Sequence, residues 1–415
     1  MTRPTVPSSP TEATTPDRGL RGNREFLLLW SGAGLSFLGS RLSAFAYPLI
    51  VLWATGSAAS AGLIAFAAQL PYLLVQLPAG VAVDRFDRRR LLIVCDLGRL
   101  IAVGSIPLGM IFAGLNLWHL AVVAFVEGAF TVVYRITERA ALPSVVPEKH
   151  LTTAMSRNEA REQAAGLLGQ PGAGVLSAIT QWFPFLATAV LHAFSLGTVL
   201  MIKKKLQAEP VAAEPRKPLA ALMEGLRWMA GHRFARAAAG LIAVSNLLFQ
   251  VLMLTVLEIV RQDGGSQTVA ALVSVVSGIG GVLGALGATF WIRRISLPAL
   301  VIGANALWAV LVPTTLLAGD PVLLGAVYGL MSYVGAVWTV GVSAYLVQIV
   351  PDRLRGRVTS VATLLAYGPL AFGSLLGGFA LTALGVTGTV LAVGGVMGVL
   401  TLLAAASPGV RSLSR

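Results

Sequence analysis

Apolar residues run along this chain in stretches of about 20 or more, the length a helix needs to cross a bilayer, broken by short charged or Gly- and Pro-containing segments. The cores of twelve such runs lie at 27–53, 60–83, 91–113, 117–137, 161–180, 184–202, 237–260, 268–291, 298–318, 321–346, 358–383 and 386–407. The longest polar stretch, 203–236, opens on Lys203, Lys204 and Lys205 and divides the runs six and six. Within it, 219–232 (LAALMEGLRWMAGH) has a weak helical period, read either as a helix lying on the membrane surface or as a plain linker. The predicted organisation is a disordered tail over 1–25, a six-helix bundle over 26–202, the linker 203–236, a second bundle over 237–407 and a tail over 408–415.

The two halves repeat. VPEKHLTTAMS from Val146 aligns with VPDRLRGRVTS from Val350, carrying Pro147 onto Pro351, an offset of 204. The same offset takes Gly80 onto Gly284, Arg89 onto Arg293, Gly169 onto Gly373 and Gly174 onto Gly378. One register serving several separated places predicts two related bundles.

Composition narrows the class. Hydrophobic residues make up 56% of the 415 and charged residues 12%, with a mean hydropathy of +0.78, which excludes a soluble globular protein. The formal charge of +13 raises the question of nucleic acid, but 28 of the 31 Lys and Arg residues lie in the tails or in loops and helix ends on one predicted face. Such asymmetry orients membrane helices and puts both termini in the cytoplasm of a multi-pass cell-membrane protein. A single cysteine, Cys95, rules out an internal disulfide framework, none of the four histidines forms a metal-ligand pair, and no phosphate-binding loop of Walker type occurs. No nucleophile, base or metal cluster recurs with catalytic spacing, so the residues point away from an enzyme.

The charged burst at Gly80–Arg90, GVAVDRFDRRR, reads as a tight hairpin between the second and third spans. Gly80 would let a neighbouring helix approach closely, Asp84 would cap a helix or meet an Arg of the facing bundle, and Arg85, Arg88 and Arg89 would hold the loop in the cytoplasm. An ordinary basic loop is the other reading. With Gly80, Asp84, Arg85, Arg88 and Arg89 in place, the segment resembles the G-x-x-x-D-R-x-G-R-R loop of the major facilitator superfamily, with Asp87 where that family usually has Gly. Arg139 to Leu176 and the opening LLLWSGAGLSFLGSRLSAFAYPLIVLWATGS resemble the branch that holds enterobactin exporters and macrolide-type efflux pumps. The resemblance implies an all-α integral membrane protein with twelve transmembrane helices in two six-helix bundles. It further implies alternating access, export of a small amphiphilic, drug-like or natural-product molecule in exchange for protons, no cofactor, and a monomer in the lipid bilayer. An importer of a metabolite or siderophore, and a sensor that kept the fold but lost transport, are the other readings.

Ionisable residues inside a span are functional candidates, because burying a charge there costs about 2.5–3.5 kcal/mol on insertion scales. Glu127 in the fourth span and Arg41 in the first would face each other across the central cavity, as a proton-coupling pair or as a static ion pair. The superfamily's R-x-x-Q-G pattern in its fourth helix is half present, with Glu127 and Gly128 at its end and Ala124 in place of the Arg. Asp96 and Arg99 lie three apart on one face of the third span, and Arg135, Glu138 and Arg139 sit at the inner end of the fourth. These five, with the charged loop, are expected to form an inner gate that locks the two halves in the outward-open state, with packing as the other reading for Asp96 and Arg99. GLLGQPGAG at 166–174 loosely resembles the antiporter motif of the fifth helix, and its Gly169, Pro171 and Gly174 predict a close, bent contact with the opposite half, or ordinary small-residue packing. Gln69, Gln76, Gln163, Tyr47 and Tyr72 in the first half, and Asn246, Gln250, Trp338 and Tyr345 in the second, are candidates to line a cavity or simply to pack.

Overall fold

The computed structural model describes residues 19–207 and 218–411, and among these the regular elements are all helices. The first 18 residues of the predicted tail, 208–217 of the linker and 412–415 lie outside the described residues. The rest of the predicted tail does not read as disordered, since Gly19–Gly22 is a short helix with Leu20 buried.

The first half holds α1 (Arg24–Thr55), α2 (Ala58–Leu74), α3 (Gln76–Arg85), α4 (Arg88–Ala113), α5 (Leu117–Val145), α6 (Leu151–Ile179) and α7 (Phe183–Met201). A linker helix, α8 (Pro218–Gly231), leads to α9 (Arg233–Gln262), α10 (Gln267–Ile292), α11 (Leu297–Thr314), α12 (Pro321–Ile349) and α13 (Arg355–Ala406). Local chemistry sets many of the ends. Asn23 accepts the Phe26 N–H at the start of α1, and Gly56, at φ 66°, closes its other end in the left-handed region that favours glycine. Asp87 accepts the Arg90 N–H and caps α4 at φ −60°, so the position where the family usually has Gly needs no left-handed backbone.

Among the described residues, nine helices are long and apolar enough to cross a membrane, and the pair α2 and α3, bent by 51° about Val75, makes a tenth. The predicted second span is thus one crossing with a kink. Pro78 has no N–H to give Leu74 and its ring crowds that carbonyl, which breaks the helix at this point. A straight helix of 52 residues would be about 78 Å long, but α13 is bent at Gly385, φ 66°, and supplies the last two crossings. The twelfth is α6, whose 29 residues start ten earlier than the apolar run at 161 because polar helix formers precede it, and whose buried Asn158 and Arg161 lower its hydropathy.

Within the first half α1 packs on α6 and α7, and α4 on α5 and α7; in the second, α9 packs on α13 and α10 on α12. The halves meet along two seams, α2 against α13 and α6 against α10. Both seams are built of glycine. A Cβ at Gly62 would lie 2.6 Å from Ser374 O and 2.9 Å from Gly378 Cα, and one at Gly378 would lie 2.6 Å from Ala58 O. At the other seam a Cβ at Gly174 would run into the Ala271 side chain and lie 2.9 Å from Gln267 O. The sequence repeat reappears as repeated contacts: Gly174 and Gly378 each touch the opposite half, while Gly169 and Gly373 each pack on the first helix of their own half, against Arg41 and Leu247. Gly169 therefore packs within its own half rather than at a seam.

These seams lie toward the face that carries the turns at Gly56 and Gly114, here the far face. Toward the face of Arg85, Arg88–Arg90 and Arg293–Arg294, the basic face, the halves part around a cavity of about 410 Å³ lined by Gly80, Asp84, Leu222 and Arg357. Among the described residues nothing lies within 4 Å of a Cβ at Gly80, so the predicted close approach of a helix there is not made. The linker helix packs on the start of α13, where a Cβ at Gly225 would lie 2.6 Å from the Arg357 carbonyl and Met229 joins Leu354, Val358 and Val361 in a small core. It is neither a free linker nor a helix held by the membrane surface alone. Lipid-facing flanks stay apolar, with Ile101, Phe112, Trp118, Leu286 and Val322 all strongly exposed.

These contacts predict opposite outcomes for two substitutions of one kind. Gly378→Ala, which drives a Cβ into backbone, is expected to cost about 1–3 kcal/mol and lower the melting temperature of the protein in detergent. Gly80→Ala is expected to leave it unchanged or raise it, since the added methyl meets open space and glycine is the poorer helix former.

Candidate functional site

A cavity of about 240 Å³ lies between the halves near mid-membrane, lined by Arg41, Tyr47, Gln69, Tyr72, Glu127 and Gln170 from the first half and Gln250, Met253, Tyr367 and Leu370 from the second. Gln69, Tyr47, Tyr72 and Gln250 are thus cavity residues. Gln76 lines the basic-face cavity instead. Asn246 donates to Ala366 O at 2.9 Å, and Trp338 and Tyr345 pack edge-on against Trp308 and Phe234, so these three hold the second half together.

Glu127 is buried at the cavity wall, where α5 is drawn against α2 by the neighbouring Gly128: a Cβ there would lie 2.5 Å from Ala68 O. Its carboxyl accepts the Ser43 hydroxyl at 2.5 Å and the Tyr47 hydroxyl at 2.8 Å. The expected partner does not hold it: Arg41 lines the same cavity, is exposed, and among the described residues makes no ion pair with Glu127. Helical geometry explains the correction. Ser40, Ser43 and Tyr47 form the stripe of α1 that faces α5, whereas Arg41 is turned by about 100° from Ser40 and packs its stem on Gly169 of α6.

Asp96 and Arg99 do pair, at 2.6 Å, but wholly buried among α4, α5 and α7 rather than with the charged loop. Ser195 donates to Asp96 at 2.8 Å, and the Arg99 guanidinium gives Nε–H to Cys95 O at 3.3 Å and stacks 4.4 Å over the Tyr134 ring. Next to them lies a residue absent from the sequence candidates, His192 of α7. Its Nε2 is 3.8 Å from Glu127 Oε1 and its Nδ1 4.0 Å from Asp96 Oδ1. The available signal was an ionisable side chain at the centre of the apolar run 184–202.

The expected inner gate separates into local clusters. Glu138 is buried and bound by Asn158 at 2.9 Å and Arg161 at 3.4 Å, while Arg161 also donates to Trp30 O at 3.1 Å, so this cluster joins α5, α6 and α1 of one half. Arg139 and Arg135 pair with Glu162 at 3.1 and 3.6 Å, again within that half. Arg88 donates to Ala140 O at 2.8 Å and Arg89 to Leu200 O at 2.9 Å, pinning the loop to its own bundle. Asp84 and Arg85 are exposed, and among the described residues Asp84 pairs with no Arg of the facing half; Arg357 across the cavity is bound to Glu224 of α8. Only Arg135 of this set reaches over, its guanidinium 5.8 Å from the Tyr367 ring. The physical reason is the parted basic face: among the described residues, the charges expected to lock the halves meet no oppositely charged partner across it. In the fifth-helix motif, Gly174 makes the contact across the halves and Pro171 stays within a continuous helix.

Residues 29–256 match the family model described as Major Facilitator Superfamily. Over 405 residues the chain is 28% identical to the multidrug efflux pump Tap of Mycolicibacterium fortuitum, covering 94% of this chain and 95% of that protein. It is 25% identical to macrolide efflux protein A of Streptococcus pyogenes over 169 residues, 41% of this chain and 42% of that protein. Among solved structures, a variant of the nucleoside transporter NupG superposes with a TM-score of 0.75 at 13% identity, covering 92% of this chain and all of that one.

Burial sorts the ion pairs of this region by weight. Arg161→Met leaves Glu138 buried without its cation and is expected to cost about 3–5 kcal/mol, enough to deplete folded protein in a fluorescence size-exclusion assay. Arg139→Ala removes a half-exposed partner of Glu162, and its expected cost is below about 1 kcal/mol in the same assay.

Proposed function

The chain belongs to the major facilitator superfamily, and we propose that within it the protein exports a small amphiphilic molecule in exchange for protons, with Glu127 as the coupling carboxylate. It is a multi-pass membrane transporter and not an enzyme. The observation that carries the proposal is that Glu127 lines the central cavity, held by two hydroxyls and, among the described residues, by no hydrogen-bonded cation. A hydroxyl can donate to a carboxylate and accept from a carboxylic acid, so the site accommodates Glu127 with or without its proton. A guanidinium would favour the charged form. A cationic or hydrogen-bonding molecule entering the cavity would meet Glu127, Gln69, Gln170 and Gln250 and compete with the proton for the same carboxyl.

Export as the direction rests on the names of the relatives, which are efflux pumps, one of them matched along nearly its whole length. The excess of Lys and Arg on the basic face supports a cytoplasmic assignment for that face and for both termini. On that assignment the conformation described here is open to the cytoplasm and closed outside by the glycine seams. Inward proton movement would supply about 2.3 kcal/mol for each charge crossing about 100 mV. No observation here favours import or a sensor over this reading.

The test is fluorescence of a pH dye in energised inside-out vesicles challenged with erythromycin, ethidium and a siderophore. One of these compounds is expected to dissipate the proton gradient with the native protein and to leave it intact with Glu127→Gln. Labelled compound that crosses with no movement of protons would remove Glu127 from the coupling role and favour a uniporter.

A further inference from the structure

His192 is wholly buried, and among the described residues neither ring nitrogen has a hydrogen-bond partner. A buried imidazole left unbonded costs free energy, yet this one stands between two carboxyls, with Nε2 3.8 Å from Glu127 and Nδ1 4.0 Å from Asp96. Both gaps are too narrow for a water, and a shift of about 1 Å in the ring or carboxyl turns either into a hydrogen bond. The ionisable groups around the ring are Glu127 and Tyr134 of α5, Cys95, Asp96 and Arg99 of α4, and Tyr47 of α1; no ion pair reaches it from α6 among the described residues. Glu127 faces the cavity on its other side, whereas neither His192 nor Asp96 lines it.

We propose that His192 relays a proton between Glu127 and Asp96, so that the coupling carboxyl can pass its proton to a buried acceptor out of the way of the transported molecule and take it back. The proposal rests on the reading of Glu127 as the coupling carboxylate. With the neutral ring protonated at Nδ1, the O–H bond of protonated Glu127 breaks as an N–H bond forms at Nε2; the Nδ1–H bond then breaks as an O–H bond forms on Asp96. One proton has moved, Glu127 is a carboxylate, Asp96 is a neutral acid and the imidazole is neutral in its other tautomer. The reverse sequence resets it, and no co-reactant is needed. A neutral Asp96 no longer balances Arg99, whose Nη1 lies 3.5 Å from Ser40 Oγ beside Arg41, so the arrival of the proton is felt at the cavity wall. Histidine suits the task because each ring nitrogen can either give or take a proton near neutral pH.

The experiment uses proteoliposomes of the native protein, His192→Gln, His192→Asn and Glu127→Gln, with labelled erythromycin and ethidium as probes. Both His192 variants are expected to keep counterflow, which needs no proton, within about twofold of native, while probe flux driven by a proton gradient falls about tenfold or more. Proton-driven flux in the His192 variants with the native pH profile, beside loss of coupling in Glu127→Gln, would overturn the relay and leave the coupling role of Glu127 standing. A native protein that moves neither probe against a proton gradient overturns both. Should the His192 variants lose counterflow as well, infrared difference spectra of native protein with ring-labelled histidine decide: imidazole bands are expected to titrate in step with a carboxyl band that Glu127→Gln removes, and their absence overturns the relay.

Discussion

Gly62 and Gly378 let α2 and α13 touch backbone to backbone, and the shape of the transporter follows from that contact. In a bilayer the surrounding lipid is as apolar as the helices, so two bundles gain little by hiding hydrophobic surface from it. They associate through close van der Waals fit instead, which small residues provide. Both seams use glycine toward the far face and neither continues to the basic face, where the halves diverge around Asp84 and Arg357. Contacts across the seams are largely of this packing kind, with Gln69 donating to Ser374 at 2.8 Å as a polar exception. A joint made mostly of packing can be parted and remade without stranding buried charges, as alternation between two openings requires.

Charges inside the bundle divide by what holds them. Asp96 with Arg99, and Glu138 with Arg161, are anion–cation pairs whose partners are fixed by further hydrogen bonds and by aromatic faces. They fasten helices of the first half to one another. Glu127 is the exception, because its bonds are to hydroxyls and the nearest cationic candidate, His192, stands just beyond bonding distance. A group whose neighbours tolerate both protonation states changes state readily during a cycle; a group paired to a guanidinium does so at a cost, which in the proposed relay Asp96 bears when it takes the proton.

Apolar run length and the placement of Lys and Arg made the twelve crossings legible in the sequence, and the repeat at an offset of 204 reappears as matched glycine contacts of Gly174 and Gly378. Glu127 at a cavity wall was legible too, since a lone acid in an apolar run has few other places to go. Its partners were not. Ser43 and Tyr47 look unremarkable in a span, and which side of α1 faces α5 depends on packing that no short pattern records. The predicted pairing with Arg41 failed by one position on a helix. The expected gate is a different matter: Asp84, Arg88 and Glu138 are charged and near one face, but whether they meet depends on which opening the molecule adopts, and with the basic face parted they do not meet. His192 went unnoticed because a single histidine carries no formal charge to mark it.

In the proposed exchange cycle the basic face closes once Glu127 has given up its proton to make way for substrate. Spin labels at Phe86→Cys and Thr359→Cys, exposed positions on opposite halves, in a Cys95→Ser background would report that closure by electron–electron distance measurement. The predicted result is a longer distance at acidic pH and a new, shorter population when ethidium or erythromycin is added at alkaline pH, absent when Glu127→Gln is present. One unchanging distance distribution under all these conditions would contradict it.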